Sequence, residues 1–235
     1  MGTAPWPISP YRAAIRFLRC VHAEFLAVSP RLTRTRVGLA LLSLGISLMW
    51  LRTHGFDHLT IVLQAGALGS IVCAAGIAGQ VGDSAALTTA LTHPTSPLAI
   101  AAGRWLATAL PALLLALLCT AAVGGTIGAL AAGLCAAAAV GSCALALVLP
   151  LGNSAALTLF LFMATAGTVP PERLVDLAHP GVLRVTAASA LELGPALWHY
   201  REIATGDVGA VAHAAAWTGL GILLASAWIA RSRAC

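Results

Sequence analysis

Residues 105–123 read WLATALPALLLALLCTAAV, a run without a single charged side chain. An α-helix needs about 20 apolar residues to cross the hydrocarbon core of a bilayer. Lipid offers the backbone no hydrogen-bond partners, so such a run must form a helix or part of a closed barrel. Barrel strands alternate between apolar and polar residues, and this run does not. The sequence therefore predicts a transmembrane helix here.

The composition extends this prediction to the whole chain. Of the 235 residues, 59% are hydrophobic and only 9% are charged, whereas soluble domains carry about 25% charged residues. The basic residues are all arginines, and they flank apolar segments instead of clustering on one face. That distribution is typical of a topology signal and not of a nucleic-acid surface. We expect one transmembrane domain over residues 1–235 and no nucleic-acid partner.

Turn and loop residues divide the chain into six apolar segments, so we predict an all-α integral membrane protein with six transmembrane helices. The predicted spans are residues 37–51, 59–82, 105–123, 129–149, 154–169 and 208–230. Four of the six cysteines lie inside these spans, and no Cys-x-x-Cys pair occurs. We interpret them as packing residues and predict no metal site.

The N-terminal residues 9–28 have two different faces. Arg12, Arg16 and Arg19 follow one another at helical spacing. The apolar residues recur at steps of three and four: Ala14, Leu18, Val21, Phe25 and Val28. This pattern predicts an amphipathic interfacial helix at the membrane surface, and a helix packed on a soluble partner is the alternative. We expect Pro30 to end it.

Residues 170–207 hold five of the eight acidic residues and four prolines. We predict broken extracytoplasmic helices here, although residues 182–200 are apolar enough to suggest a re-entrant or surface helix, or a seventh span. With six spans, nine arginines share a side with both termini and four lie on the other. The positive-inside rule then places both termini in the cytoplasm.

The predicted spans contain almost no titratable side chain. Gln64 and Gln80 are large polar residues of the second span, and we favour interhelical hydrogen bonds over substrate binding for both. Gly66, Gly69, Gly76 and Gly79 form a small-residue stripe in the same span. Another helix, in this chain or in a second copy, could approach closely there.

Transport that is coupled to protons or ions usually needs ionisable groups at membrane depth. Their scarcity predicts that the driving force comes from another subunit. The chain has no G-x-x-x-x-G-K-[ST] loop, so we expect no ATP hydrolysis and no catalytic residue in it.

The segment 83–97, DSAALTTALTHPTSP, lies between the second and third predicted spans. Asp83 and Ser84 can cap a short helix that Pro94 ends, and Pro97 can start the next helix, which carries Arg104. Such a helix, held parallel to the membrane, suits contact with a cytoplasmic partner.

From these residues the chain resembles the permease subunit of type-2 ABC (ATP-binding-cassette) transporters. Those permeases show a leucine, a proline, a serine and a Gly-Lys pair after their second span. Leu87, Pro94, Ser96 and Gly103-Arg104 match this pattern at the family's spacing. Ala85 and Ala86 stand where the family has Gly-Thr, and Thr88 replaces a glutamate.

The resemblance implies an exporter half that pairs with a second permease, identical or homologous, and with two ATP-binding subunits. Those subunits would bind ATP and magnesium, and this chain would bind no cofactor. The exported substrate would be amphipathic or hydrophobic (a drug, peptide, lipid or natural product). The complex would be located in a bacterial inner membrane.

The resemblance also implies roles for particular residues. Arg12, Arg16 and Arg19 would lie at the cytoplasmic surface. Contact with the ATPase would involve Asp83, Ser84, Leu87, Thr88, Leu91, Pro94, Ser96 and Arg104. A substrate path between the two permeases would involve Gln64, Phe160, Phe162 and Met163, for which core packing or lipid contact is the simpler interpretation.

Three other interpretations remain open. Ser154 and His213 could suggest an intramembrane serine protease, but the predicted topology places them near opposite membrane faces, too far apart for the contact of about 3 Å that catalysis needs. His54, Asp57 and His58 could suggest a metal site, or simply a solvent-exposed loop next to a span. The chain could also be a non-transporting scaffold or immunity subunit.

Overall fold

A computed structural model of the chain describes residues 10–34, 36–78, 95–165, 167, 189 and 194–234. Every regular element in this part is helical. The helices are α1 Pro10–Arg34, α2 Arg36–Thr53, α3 His58–Ala78, α4 Pro97–Val123, α5 Ile127–Leu151, α6 Asn153–Thr165, α7 Leu197–Tyr200 and α8 Val208–Ala234. A single 3-10 helix, Arg201–Thr205, precedes α8.

Five of these helices, α2 to α5 and α8, are long and apolar enough to cross a membrane. They correspond to five of the six predicted spans. The sixth, predicted at 154–169, corresponds to α6, which has 13 residues in the described part. That is shorter than the ~20 residues of a full crossing. A sixth span therefore stays a prediction, and so do the broken helices of residues 170–207, most of which lie outside the described residues.

The turns between helices follow the glycine and threonine pattern of the sequence. Gly124 ends α4 in a left-handed conformation (φ 67°), which costs a residue without Cβ little. Thr126 then caps α5 by accepting a hydrogen bond from the Ala129 N–H at 3.2 Å. Gly152, with φ 72°, separates α5 from α6. Pro150 lies inside the last turn of α5.

The prediction that Pro30 ends the first helix is wrong, because α1 continues through it to Arg34. Proline removes one N–H and so leaves the carbonyl of Leu26, four residues earlier, without its helical partner. Val28 of α1 and Val37 of α2 pack in one core cluster, so the chain is held against the bundle before and after the proline.

Helix α3 is the centre of the bundle, and it packs against α2, α4, α5 and α6. Residues 60–71 of α3 are all buried. A Cβ atom added to Gly66 would collide with the Gly133 carbonyl of α5, and one on Gly69 would press on Ala112 of α4. These two glycines of the stripe therefore serve contacts within the chain. Gly79 lies outside the described residues.

Hydrogen bonds between helices add to this packing. The Trp105 indole of α4 donates to the Ala138 carbonyl of α5 at 3.1 Å. The Ser142 hydroxyl of α5 donates to the Trp217 carbonyl of α8 at 3.2 Å. Side-chain bonds of this kind hold helices together in lipid, where apolar burial drives association only weakly.

The bundle has two ends that can be told apart by their contacts. At one, which we call the Asp57 end, His58 bonds the Val123 carbonyl at 2.7 Å and Gly128 packs against Ala204. The other, the Arg104 end, contains a core cluster to which six helices contribute: Val28, Val37, Ile77, Ile100, Leu145 and Ile229. Helix α1 therefore packs at the Arg104 end.

Candidate functional site

The Arg104 end contains a buried ion pair between α1 and α4. The Arg104 Nε donates to Glu24 Oε1 at 2.8 Å, and the two side chains are only 6% and 14% exposed. A buried charge costs several kcal/mol unless an opposite charge pairs with it, so losing one partner of such a pair strongly destabilises a fold. The pair therefore fixes α1 to the beginning of α4. The Arg104 Nη1 is also buried, without a hydrogen-bond partner among the described residues.

Gly103 lets the two helices come this close. A Cβ atom at this position would lie 2.7 Å from both the Val21 carbonyl oxygen and the Glu24 Cβ, so any larger residue would push α1 away. The Gly103-Arg104 pair, which the resemblance singled out, thus combines close approach with charge pairing at one contact. We call this contact, with Glu24 and Val21, the α1–α4 junction.

A groove of about 720 Å³ lies beside the junction. Its lining includes Ala13, Ala14, Arg16, Phe17, Leu18 and Ser96. The structure therefore brings three predicted site residues, Arg16, Ser96 and Arg104, to one region. Arg19 is exposed on α1, and the side chain of Arg12 lies outside the described part.

The other residues predicted to contact an ATPase are Asp83, Ser84, Leu87, Thr88, Leu91 and Pro94. They lie outside the described residues, as does Gln80, so their roles stay predictions. The described chain resumes at Thr95. Pro97 begins α4, as the sequence predicted, and Ser96 occupies the N-cap position.

The residues predicted for a substrate path pack in the core between α3 and α6. Gln64, 6% exposed, donates a long hydrogen bond of 3.5 Å to the Ala164 carbonyl of α6. Met163 is 2% exposed, and Phe160 and Phe162 pack half-buried against the same cluster. This arrangement fits the interhelical interpretation of Gln64 and leaves Met163 without a free surface.

The Asp57 end has a second ionic contact, which links the start of α3 to the 3-10 helix. Asp57 Oδ2 accepts from Arg201 Nη2 at 2.6 Å, and Asp57 Oδ1 accepts from the Thr60 N–H at 2.6 Å. Burial raises the pKa of Asp57, but the bonds from Arg201 and Thr60 outweigh it, and the net pKa lies below its ordinary value. Asp57 is therefore both the N-cap of α3 and a link between two segments.

The same contacts argue against the metal site suggested by His54, Asp57 and His58. His54 bonds the Trp50 carbonyl at 3.0 Å, and His58 bonds the Val123 carbonyl at 2.7 Å. Asp57 binds Arg201. The three side chains thus have three separate partners and do not converge.

Ser154 and His213 do not form the Ser–His pair that a serine protease would require. The Ser154 hydroxyl donates to the Leu151 carbonyl at 3.1 Å, at the start of α6. His213 accepts a bond from Trp217 at 3.1 Å, in the first turns of α8. Helix α6 begins at the Arg104 end and α8 at the Asp57 end, so the two side chains belong to opposite ends of the bundle.

Two features of the structure escaped sequence reasoning. Glu24 was one, although it lies three residues after Val21 and four before Val28, on the apolar face of α1. An acid at that position signals a buried cationic partner. The other is a grouping of His199, Glu202 and Asp207, whose ligand atoms lie within 4.8 Å of one another.

The three side chains of this grouping already have partners within the protein. His199 pairs with Glu202 at 2.8 Å. Asp207 accepts the N–H groups of Gly209 at 2.9 Å and Ala210 at 3.2 Å, and so caps α8. An ion pair and a helix cap account for the proximity of all three.

These elements define a class: a helical, multi-pass membrane protein with a helix docked at one end of the bundle. No known family model, curated protein or solved structure matches the chain.

Proposed function

We propose that the chain is the permease subunit of an ATP-driven exporter of the type-2 ABC class. It would pair with a second permease, identical or homologous, and with two ATP-binding subunits that hold ATP and magnesium. The substrate would be amphipathic or hydrophobic. The complex would lie in a bacterial inner membrane, with both termini of this chain in the cytoplasm.

The observation that carries this proposal is the α1–α4 junction. An exporter driven by a separate ATPase needs a rigid connection between the contact with the ATPase and the membrane helices. Residues 83–97, the predicted contact, lead directly into α4, and the buried Glu24–Arg104 pair couples α4 to α1. A push on this segment would therefore move α1 and α4 together.

The continuous helix α4 would transmit that motion across the bilayer. It runs without a break from Pro97 to Val123, packs against α3 and α5, and contacts α8. Packed helices move as rigid bodies between discrete arrangements instead of deforming gradually. Exposed Tyr11 and Leu18 on α1 offer apolar surface to the membrane interface, which supports an interfacial position for this helix.

The charge distribution supports an external energy source. Helices α2 to α5 and α8 contain no aspartate or glutamate. The buried cation of α4, Arg104, is already paired with Glu24. Proton pumps and ion-coupled transporters usually relay charge through acidic or histidine chains at membrane depth.

The test is reconstitution with an ATP-binding-cassette subunit from the same genome. The two should copurify, hydrolyse ATP faster when substrate is added, and move that substrate into inverted proteoliposomes. Replacing both partners of the buried pair, Glu24→Leu with Arg104→Leu, should keep the protein folded but reduce substrate-stimulated hydrolysis. Arg52→Gln, an exposed arginine at the Asp57 end, is the matched control and should hydrolyse ATP at the wild-type rate.

Two results would decide against the proposal. Solute movement driven by a proton or sodium gradient, with no nucleotidase present, would make the chain a secondary transporter. A stable complex whose ATP hydrolysis no substrate stimulates would favour the scaffold or immunity alternative.

A further inference from the structure

A second groove, of about 660 Å³, opens between α5, α6 and α8. Its walls are apolar and include Leu147, Pro150, Leu159, Leu220 and Leu224. The volume lies in the range of small-molecule sites, roughly 300–1,000 Å³. None of the described residues that line the groove is acidic.

Two polar groups border this apolar groove at the Arg104 end. The Trp228 Nε1–H is buried and has no hydrogen-bond partner in the described part of the chain. Arg231, three residues later on the same face of α8, is exposed and forms no ion pair with any described residue. An unpaired buried donor costs about 1–3 kcal/mol. The groove thus has a hydrogen-bond donor without a described acceptor, Trp228, and an exposed cation, Arg231, at the same end.

We propose that this groove binds an anionic phospholipid. One acyl chain fills the apolar groove, Arg231 pairs with the phosphate, and a rotation of the Trp228 indole lets its buried N–H donate to an oxygen of the ester or headgroup region. This inference goes beyond the proposed function and does not depend on it, because lipid binding needs neither an ATPase nor transport.

The position of the two polar groups supports this occupant. Arg231 lies in the last turns of α8, where a membrane helix meets the headgroups, and tryptophan is enriched at the same depth. A guanidinium group recognises phosphate oxygens through paired N–H donors. Basic pockets between membrane helices bind anionic headgroups for this reason. No described residue of the lining offers a carboxylate to the cationic part of a zwitterionic lipid.

The experiment is native mass spectrometry of the purified full chain, titrated with phosphatidylglycerol or with phosphatidylcholine of the same acyl chains. We expect one phosphatidylglycerol per chain and about tenfold weaker retention of phosphatidylcholine, because its choline cation lies close to Arg231 and opposes the attraction between Arg231 and the phosphate. Arg231→Gln should weaken phosphatidylglycerol binding by about the same factor, and Trp228→Phe by less. Ala227→Phe, which fills the groove, should abolish retention.

The matched control is Arg36→Gln. Arg36 is an exposed arginine at the Arg104 end, at the start of α2, and it does not line the groove. It should retain phosphatidylglycerol as the wild type does. Arg231→Lys should recover part of the binding, and thermal unfolding of each variant separates lost binding from lost folding.

Several outcomes would overturn the proposal. Equal retention of the two lipids would mean ordinary lipid contact. Equal losses in Arg36→Gln and Arg231→Gln would mean general attraction to a basic surface. If the wild-type chain instead forms a lipid-free dimer, and Ala227→Phe breaks that dimer, the groove would be an interface between two copies of the chain.

Discussion

At the scale of single residues, Glu24 shows how burial changes the meaning of a charge. On an exposed helix face it would be an ordinary acid, but here it lies among apolar residues and meets Arg104 at 2.8 Å. Each charge is tolerable only because the other is present. Asp57 and Arg201 form a similar contact in a more exposed place, where water screens much of the attraction.

The buried pair predicts a large and asymmetric effect of substitution. Glu24→Ala should destabilise the chain by about 3 kcal/mol, because it leaves the Arg104 guanidinium buried without its partner. The double variant Glu24→Leu with Arg104→Leu should recover most of this loss. Thermal unfolding in detergent measures both, and Arg19→Ala, exposed on the same helix, should change little. Equal stability of the single and double variants would contradict the burial of the pair.

The Asp57 contact predicts a pH dependence. Because the folded-state pKa of Asp57 is lowered, its stabilising effect is present above the unfolded-state pKa of ~4 and is lost as the pH falls through the folded value. Asp57→Asn keeps a good helix cap and removes the charge. It should cost under about 1 kcal/mol at pH 7, since the carboxylate is half exposed, and the cost should vanish in acid.

Unfolding midpoints of the wild type and Asp57→Asn between pH 7 and pH 3 check this expectation. Glu202→Gln is the matched control, because Glu202 lies near the same end and its side chain is equally exposed, at 51%. Because Glu202→Gln leaves Asp57 intact, this variant should lose stability in acid as the wild type does. A difference in stability between the wild type and Asp57→Asn that widens in acid would contradict the lowered pKa of Asp57.

At the scale of helices, glycines decide which faces meet. Gly66 and Gly133 bring α3 and α5 into backbone contact, and Gly103 does the same for α1 and α4. In lipid, close approach of this kind replaces much of the association that apolar burial supplies in water. The order of packing around α3 therefore depends on small residues more than on large ones.

Gly66→Ala should destabilise the bundle by about 1–3 kcal/mol, because its new methyl group would overlap the Gly133 carbonyl. Gly38→Ala is the matched control: no heavy atom lies within 4 Å of the added methyl group. Alanine should there raise helix stability by up to about 1 kcal/mol. Thermal unfolding of the two variants should shift in opposite directions, and equal shifts would refute the packing.

At the scale of the whole molecule, the contacts divide the bundle into two ends without reference to any membrane. The Asp57 end gathers the α2–α3 turn, the α4–α5 turn and the 3-10 helix. The Arg104 end gathers α1 and the beginning of α4. The arginine distribution predicts that the Arg104 end faces the cytoplasm.

Cysteine labelling of a cysteine-free chain tests both the division and the orientation. Thr126→Cys, exposed at the Asp57 end, should react with a membrane-impermeant maleimide in intact cells. Ser96→Cys, exposed at the Arg104 end, should react only after the membrane is opened. Labelling of both from outside would contradict the fold, and an exchange of the two results would contradict the orientation alone.

The sequence alone determined the class of protein and most helix boundaries, because the length of an apolar run and a glycine or threonine at its end are local properties. The predicted ends of α2, α5 and α8 lie within four residues of the observed ends. It missed the continuation of α1 through Pro30, because a proline ends a helix or merely bends it according to what holds the following turn, and that depends on distant contacts.

The tertiary structure alone decided which residues meet. Nothing local relates Glu24 to Arg104, eighty residues later, or Asp57 to Arg201. Nor could the glycine stripe of α3 reveal whether its partner belonged to this chain or to another. Pairing between distant side chains follows from how the helices pack together, and a pattern read along one helix contains only that helix's own period.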